Sequence, residues 1–172
     1  LAMSSPVYSP PQPDWPPQVK ITGFTLWDEP AGWREPPELT QFLSYGPAPI
    51  VVTTSTAEER DTVGYARVAM RAIEATGRRG IILTGASTDR ILGTQTHLIL
   101  DSGVAAWPYI PLSRLLPHAS MVVHHSGIGT AVTTIRHGLG AVAIPASFDQ
   151  GYNAARVRAL GGGRTNNAKA LP

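Results

Sequence analysis

The residues with chemistry to offer lie close together: His124-His125-Ser126-Gly127-Ile128-Gly129-Thr130, followed by Asp149, Gln150 and Asn153. A glycine-rich turn that opens a helix leaves backbone N–H groups unpaired and carries about half a positive charge. Gly127 and Gly129 let a ligand approach that backbone closely, and Thr130 adds a hydroxyl. Such a turn suits a small anion such as a phosphate and needs no special side chain to hold it. The histidine pair does not make a metal site. Adjacent strand residues point to opposite faces, and no third ligand is well spaced. One imidazole is therefore expected to be buried and hydrogen-bonded while the other faces the turn. Ser126 does not sit in a Gly-x-Ser-x-Gly elbow, and Gly127 to Thr130 lacks the lysine of a Walker loop.

These residues need elements that deliver them to one place. Ser120 to Val123 and Ala141 to Ile144 are short apolar runs that read as strands. Between them, about Ala131 to His137 reads as a helix that Gly138 stops. The second run ends at Pro145, and Asp149, Gln150 and Asn153 lie just beyond it. Asn153 falls one helical turn after Asp149, so the two can face one pocket. A strand, glycine turn, helix, strand unit gathers polar residues at strand ends, where open α/β sheets bind ligands.

The rest of the chain repeats that alternation. Ile50 to Thr54 is β-branched and reads as a buried strand. Asp61 to Thr76 carries Val63, Ala66, Ala69, Met70 and Ile73 on one helical stripe, and Gly77 closes it. Ile81 to Thr84, His97 to Leu100 and Val104 to Trp107 read as further strands. Glu38 to Tyr45, Leu112 to Leu116 and Gly151 to Leu160 read as helical segments. The expected fold is α/β, a Rossmann-like parallel sheet with helices on both faces. The expected domain spans residues 19–163. Residues 1–49 hold 11 of the 16 prolines, so residues 1–18 read as an extended surface linker. Val19 to Phe24 is a short strand candidate, and residues 164–172 read as a truncated tail. Trp15, Trp27 and Trp33 either form an aromatic face or anchor this irregular region on the core.

Composition narrows the function classes. A chain of 172 residues fits one domain. No apolar run approaches the ~18 residues that a membrane span needs. The absence of cysteine excludes disulfides and thiolate metal sites. A net charge of +2 is too small to suggest nucleic-acid binding by itself. It is unevenly spread, −3 over residues 1–101 and +5 over residues 102–172, and a basic half around a glycine turn suits an anionic ligand. The chain reads as a piece of a longer protein.

The segment His124 to Thr130 resembles the HHGGxGT segment of GT-B glycosyltransferases of the UDP-glucosyl/UDP-glucuronosyl type. Gly138-Leu139, Pro145, Asp149-Gln150 and Asn153 fall at the spacing of that family's GVP…P…DQ…N signature. Tyr109-Ile110-Pro111, Leu116 and His118 match its lead-in. DWPPQVKITGF (14–24), DEPAGWREPPELTQFL (28–43) and GPAPI (46–50) are similar to the opening of the C-terminal domain in sterol-glucosyltransferase-like members.

The resemblance implies the C-terminal, donor-binding half of a GT-B fold and a role for each matched position. Tyr109 stacks on the base and the Ile110 backbone reads its edge. His125, Ser126, Gly127, Gly129 and Thr130 hold the diphosphate, and Asp149 and Gln150 bind sugar hydroxyls. Thr53, Thr54, Ser55 and Thr56 stand where the family has a GFGS donor loop. Gly140 replaces a proline, and Leu112 and Thr133 replace polar residues that plant relatives use on the ribose. The implied substrate is a UDP- or dTDP-hexose, with no metal and no separate cofactor. The implied reaction moves the hexose to an acceptor hydroxyl with inversion. A small-molecule or lipid acceptor and the catalytic base belong to an N-terminal domain outside this sequence, so the fragment alone is expected to be inactive. A cytoplasmic setting, no nucleic-acid partner and no transmembrane segment complete the expectation. Two alternatives stay open: a degenerate GT-B domain kept as an interaction module, and a dinucleotide-binding oxidoreductase domain, since Asp149 lies 20 residues after Gly129.

Overall fold

The computed structural model describes residues 1–53, 62–85, 91 and 97–166. Thr54, Ser55 and Thr56 of the expected donor loop lie outside the described residues. In chain order the elements begin with helix α1 (Pro37–Ser44), strand β1 (Ile50–Thr53), helix α2 (Thr62–Ala75) and strand β2 (Gly80–Leu83). Strands β3 (Leu98–Ile99) and β4 (Val104–Trp107) follow, then the helical turn α3 (Leu112–Leu115) with a 3-10 turn at Leu116–His118. The last part is β5 (Met121–His124), α4 (Ile128–Arg136), β6 (Gly140–Ala143), α5 (Gln150–Ala159) and β7 (Gly163–Thr165).

The strands form one sheet in the order β3-β4-β2-β1-β5-β6-β7. Every pairing is parallel except the short β3, which runs antiparallel to β4. β1, β2 and β4 are buried along their whole length, as the continuous apolar runs predict for strands covered on both faces. Alternation sorts their side chains. Val51, Ile81, Ala105 and Val122 meet Leu39 and Phe42 of α1 and Leu115 of α3. Ile50, Val52, Ile82, Val104 and Ala106 meet Ala66 and Ile73 of α2 on the other side. A smaller core of Ala131, Ala141, Val157 and Ile135 joins α4 to α5 under β6.

Going outward from β1, the chain winds to β2 and β4 in one direction and to β5, β6 and β7 in the other. The strand order therefore reverses between β1 and β5, the kind of junction where open α/β sheets form a ligand crevice at the strands' carboxyl ends. Thr53 closes β1 at this point and His124 closes β5.

Two expectations change. The sheet continues past residue 163, because Gly163–Thr165 pairs with Ala141–Ala143 as the edge strand β7. The proline-rich start is not a free surface linker either. Tyr8 is buried, packs edge-to-face on Phe24 at 5.5 Å and lies against α5. Arg156 of α5 donates to the carbonyls of Tyr8 at 2.5 Å and Val7 at 2.9 Å. The Val19 to Phe24 stretch makes only one isolated bridge, Ile21 to Ala2. Of the three early tryptophans, Trp33 packs against the core while Trp27 is exposed.

Candidate functional site

The site begins where β5 ends. His124 is fully buried, and its Nδ1 accepts the Ser126 N–H at 3.0 Å. Burial pushes its imidazole down to about 4, with the neighbouring His125 adding to the shift, so it is a neutral structural acceptor. His125 points the other way and is half-buried, as the alternation requires. Ser126 then takes φ +69, a left-handed conformation that turns the chain sharply out of the strand. Gly127 follows at φ −57, ψ 139 as the N-cap of α4.

Among the described residues no side chain caps α4. Ile128 and Gly129 are exposed and Thr130 is half-buried. The N–H groups of Gly127, Ile128, Gly129 and Thr130 precede the first helical bond, which Ala131 makes to the Gly127 carbonyl, so α4 offers them no partner of its own. Those donors and the positive end of the helix dipole make this turn suited to an anion. His125 borders it closely: a Cβ at Gly127 would lie 2.5 Å from His125 Nε2. The Ser126 Oγ is buried and, among the described residues, has no hydrogen-bond partner.

The next strand end supplies acidic and amide groups. Asp149 is exposed at the N-cap of α5. Its Oδ2 accepts from Asn153 Nδ2 at 2.7 Å, so the i, i+4 spacing does bring the two together. Asn153 Nδ2 also donates to the Ser126 carbonyl at 3.0 Å, tying the start of α5 to the turn before α4. Gln150 is buried, and its Oε1 accepts from the N–H groups of Ala146 at 2.8 Å and Ser147 at 3.2 Å. Its carbonyl therefore shapes the 145–149 loop. Phe148, next to Asp149, takes φ +53 with its ring 87% exposed.

On the other side of the junction between β1 and β5, Tyr109 follows β4 with its ring 46% exposed, while Ile110 is buried. The Tyr109 hydroxyl donates to the Asp28 carbonyl. Asp28 Oδ2 accepts the Ser113 N–H at 2.8 Å, which caps α3 from a distant segment. Glu29 pairs with Arg114 at 2.8 Å, and that pairing lowers the Glu29 carboxyl from its usual range. This strap holds the Tyr109 ring in place, and nothing in the sequence pattern pointed to it. Tyr109 and His125 are separated by three interstrand steps, roughly 14 Å at about 4.8 Å per step. Thr53 is buried at the end of β1 between them. Along the carboxyl edge the order is thus Tyr109, Thr53, the turn from His125 to Thr130, and Asp149.

The family of erythromycin biosynthesis protein CIII-like C-terminal domains matches residues 86–171, half of the chain. The chain belongs to this family. It is 34% identical over 161 residues to the O-mycaminosyltylonolide 6-deoxyallosyltransferase of Streptomyces fradiae, covering 91% of this chain and 35% of that protein. It is 29% identical over 167 residues to a sterol 3-beta-glucosyltransferase of Candida albicans, covering 92% of this chain and 11% of that one. The chain thus spans about a third or less of these relatives. The solved structure of the glycosyltransferase VinC in complex with dTDP superposes with a TM-score of 0.69 at 22% identity, over 100% of this chain and 40% of VinC. The fold is the Rossmann-like C-terminal half of a GT-B glycosyltransferase, as the resemblance implied. Among the described residues no cluster of three or more histidine or acidic side chains could hold a metal ion. None of their helices is long and apolar enough to cross a membrane.

Proposed function

We propose that this chain binds the nucleotide-sugar donor of a glycosyltransferase that moves a hexose from UDP or dTDP to an acceptor hydroxyl with inversion. One observation carries the reading: the uncapped start of α4 lies at the point where the sheet reverses, with His125 beside it. The diphosphate sits on the N–H groups of residues 127–130, with His125 against it. Tyr109 stacks on the base, the Ile110 backbone reads its edge, and Asp149 accepts from sugar hydroxyls.

The acceptor oxygen attacks the anomeric carbon from the side opposite the diphosphate. The new carbon–oxygen bond forms as the bond to the phosphate oxygen breaks, and the electron pair leaves on the diphosphate. Helix N–H groups and His125 stabilise that developing charge where it appears. A base to take the acceptor proton comes from a second domain, so this chain binds donor without transferring it. The family match favours this reading over the dinucleotide-binding one.

Calorimetric titration with UDP and dTDP tests it. The expected result is saturable binding of at least one of them below millimolar. No heat from either at several millimolar overturns the proposal.

A further inference from the structure

Tyr8 lies 145 residues from Asn153 in sequence, yet its hydroxyl donates to Asn153 Oδ1 at 3.1 Å. Asn153 is 2% exposed, so every polar atom of its amide must be matched inside the protein. Its Nδ2 donates to the Ser126 carbonyl at 3.0 Å and to Asp149 Oδ2 at 2.7 Å. Its Oδ1 takes the Tyr8 hydroxyl. An amide has one carbonyl and one NH2 of similar shape, and only the partners decide which way it faces. The Ser126 carbonyl and the Asp149 carboxylate can only accept, so they face the NH2, and the Tyr8 hydroxyl completes the set by donating to Oδ1 and holding the amide against both.

That direction matters at two places. The Ser126 carbonyl and the Gly127 N–H belong to one planar trans peptide and point opposite ways. Pinning the carbonyl to Asn153 fixes the first N–H of the anion seat. The same NH2 holds one oxygen of Asp149, which leaves the other oriented at the α5 N-terminus. We propose that Tyr8 is a positioning residue for donor binding, fixing through Asn153 both the Gly127 peptide and the Asp149 carboxylate. This rests on the donor-binding reading above and extends it to a segment outside the glycine turn.

The segment is held well enough to do this. Tyr8 is 4% exposed and rests edge-on against Phe24. Arg156 grips its carbonyl and that of Val7. Ser9 Oγ lies 3.3 Å from the Tyr152 hydroxyl. Burial, helped by Tyr152 and Asp149, pushes the Tyr8 phenol up to about 12, so it remains a donor across the working range. Residues 7–9 thus brace the face of α5 that carries Asn153.

The test is Tyr8→Phe in the full chain, titrated with dTDP, dTDP-glucose, UDP and UDP-glucose well below its unfolding midpoint. Loss of the hydroxyl is expected to weaken binding roughly fivefold to tenfold, the scale of one lost hydrogen bond. The larger loss is expected for the sugar nucleotides, because Asp149 faces the sugar. A purely structural role would lower the unfolding midpoint and leave the dissociation constants of the folded protein unchanged, and that result overturns the proposal. If wild-type protein binds none of the four ligands, the donor-binding reading itself fails and this inference goes with it. If Tyr8→Phe does not fold, Arg156→Gln replaces it, with Arg156→Lys as the conservative control. Weaker sugar-nucleotide binding in the first and partial recovery in the second supports the proposal. Unchanged binding in both overturns it.

Discussion

Gly127 lies directly beneath His125, so close that a methyl group there would stand 2.5 Å from the imidazole Nε2. The backbone of Gly127, at φ −57 and ψ 139, is open to any residue. Gly127→Ala therefore introduces no backbone strain, and its whole effect falls on His125. The imidazole must swing away from the anion seat. Affinity for UDP or dTDP is expected to fall about tenfold, equivalent to roughly 1.4 kcal/mol. The urea midpoint should barely move. Unchanged affinity in a calorimetric titration would mean that His125 does not touch the diphosphate.

The first residue of α4 allows a single donor to be deleted. Ile128 is the first helical position, where proline fits because its missing N–H has no intrahelical partner. The preceding Gly127 already has the extended backbone that a following proline demands. Ile128→Pro should fold and keep the α4 circular-dichroism signal while weakening UDP or dTDP binding several-fold, a loss of about 1 kcal/mol. Binding as tight as wild type would show that this N–H is not used.

Phe148 combines φ +53 with a ring that is almost fully in solvent. A bulky residue held in the left-handed region costs about 1 kcal/mol or more, and an exposed ring returns little packing. Phe148→Gly should raise stability by about 1 kcal/mol, read from urea unfolding. A lower stability would instead reveal a contact that the exposed ring makes.

His124 gives the fold a dependence on acid. In the unfolded chain an imidazole titrates near 6.5, whereas burial holds it at about 4 in the folded protein. The unfolded state therefore takes up the proton first. The stabilisation is complete above about pH 6.5 and is lost as pH falls toward 4, by an amount on the order of 3 kcal/mol. His124→Asn keeps an acceptor for the Ser126 N–H and removes the titration. Wild type should lose more stability than this variant between pH 7 and pH 4.5. Parallel losses in the two would refute the assignment.

The end of α1 depends on a residue from the next unit. Arg79 donates to the Phe42 and Tyr45 carbonyls, and its guanidinium lies 4.0 Å from the centre of the Phe42 ring. Helix ends leave carbonyls unpaired, so Arg79→Ala should destabilise by roughly 1–3 kcal/mol in thermal or urea unfolding. No change would mean that water serves those carbonyls equally well.

The strands and helices were legible wherever burial forced a pattern. Ile50 to Val52, Gly80 to Leu83 and the Val63 to Ile73 stripe are apolar because helices cover both sheet faces. β7 was not legible. Gly-Arg-Thr at 163–165 has no strand signature, and its conformation comes from pairing with β6. Proline content at the start described the backbone correctly but could not reveal that Tyr8 is buried. A single aromatic anchor leaves no periodicity to detect. Within the site, the glycine turn and the spacing of Asp149 and Asn153 were readable because both are local. The amides of Ala146 and Ser147 take the Gln150 carbonyl, and such backbone demands leave no trace in residue type. The Asp28 strap over Tyr109 and Ser113 spans 81 and 85 residues and was invisible for the same reason.

The reversal of strand order between β1 and β5 also divides responsibilities along the gene. On the proposed reading, everything that meets the base precedes Ser120, and everything that meets the diphosphate and sugar follows it, apart from the Tyr8 brace. Hybrids spliced at residue 120 between relatives with different donors should therefore inherit nucleotide choice from one parent and sugar choice from the other. The first 24 residues would have to travel with the sugar-choosing parent, because Val7 and Tyr8 are gripped by α5.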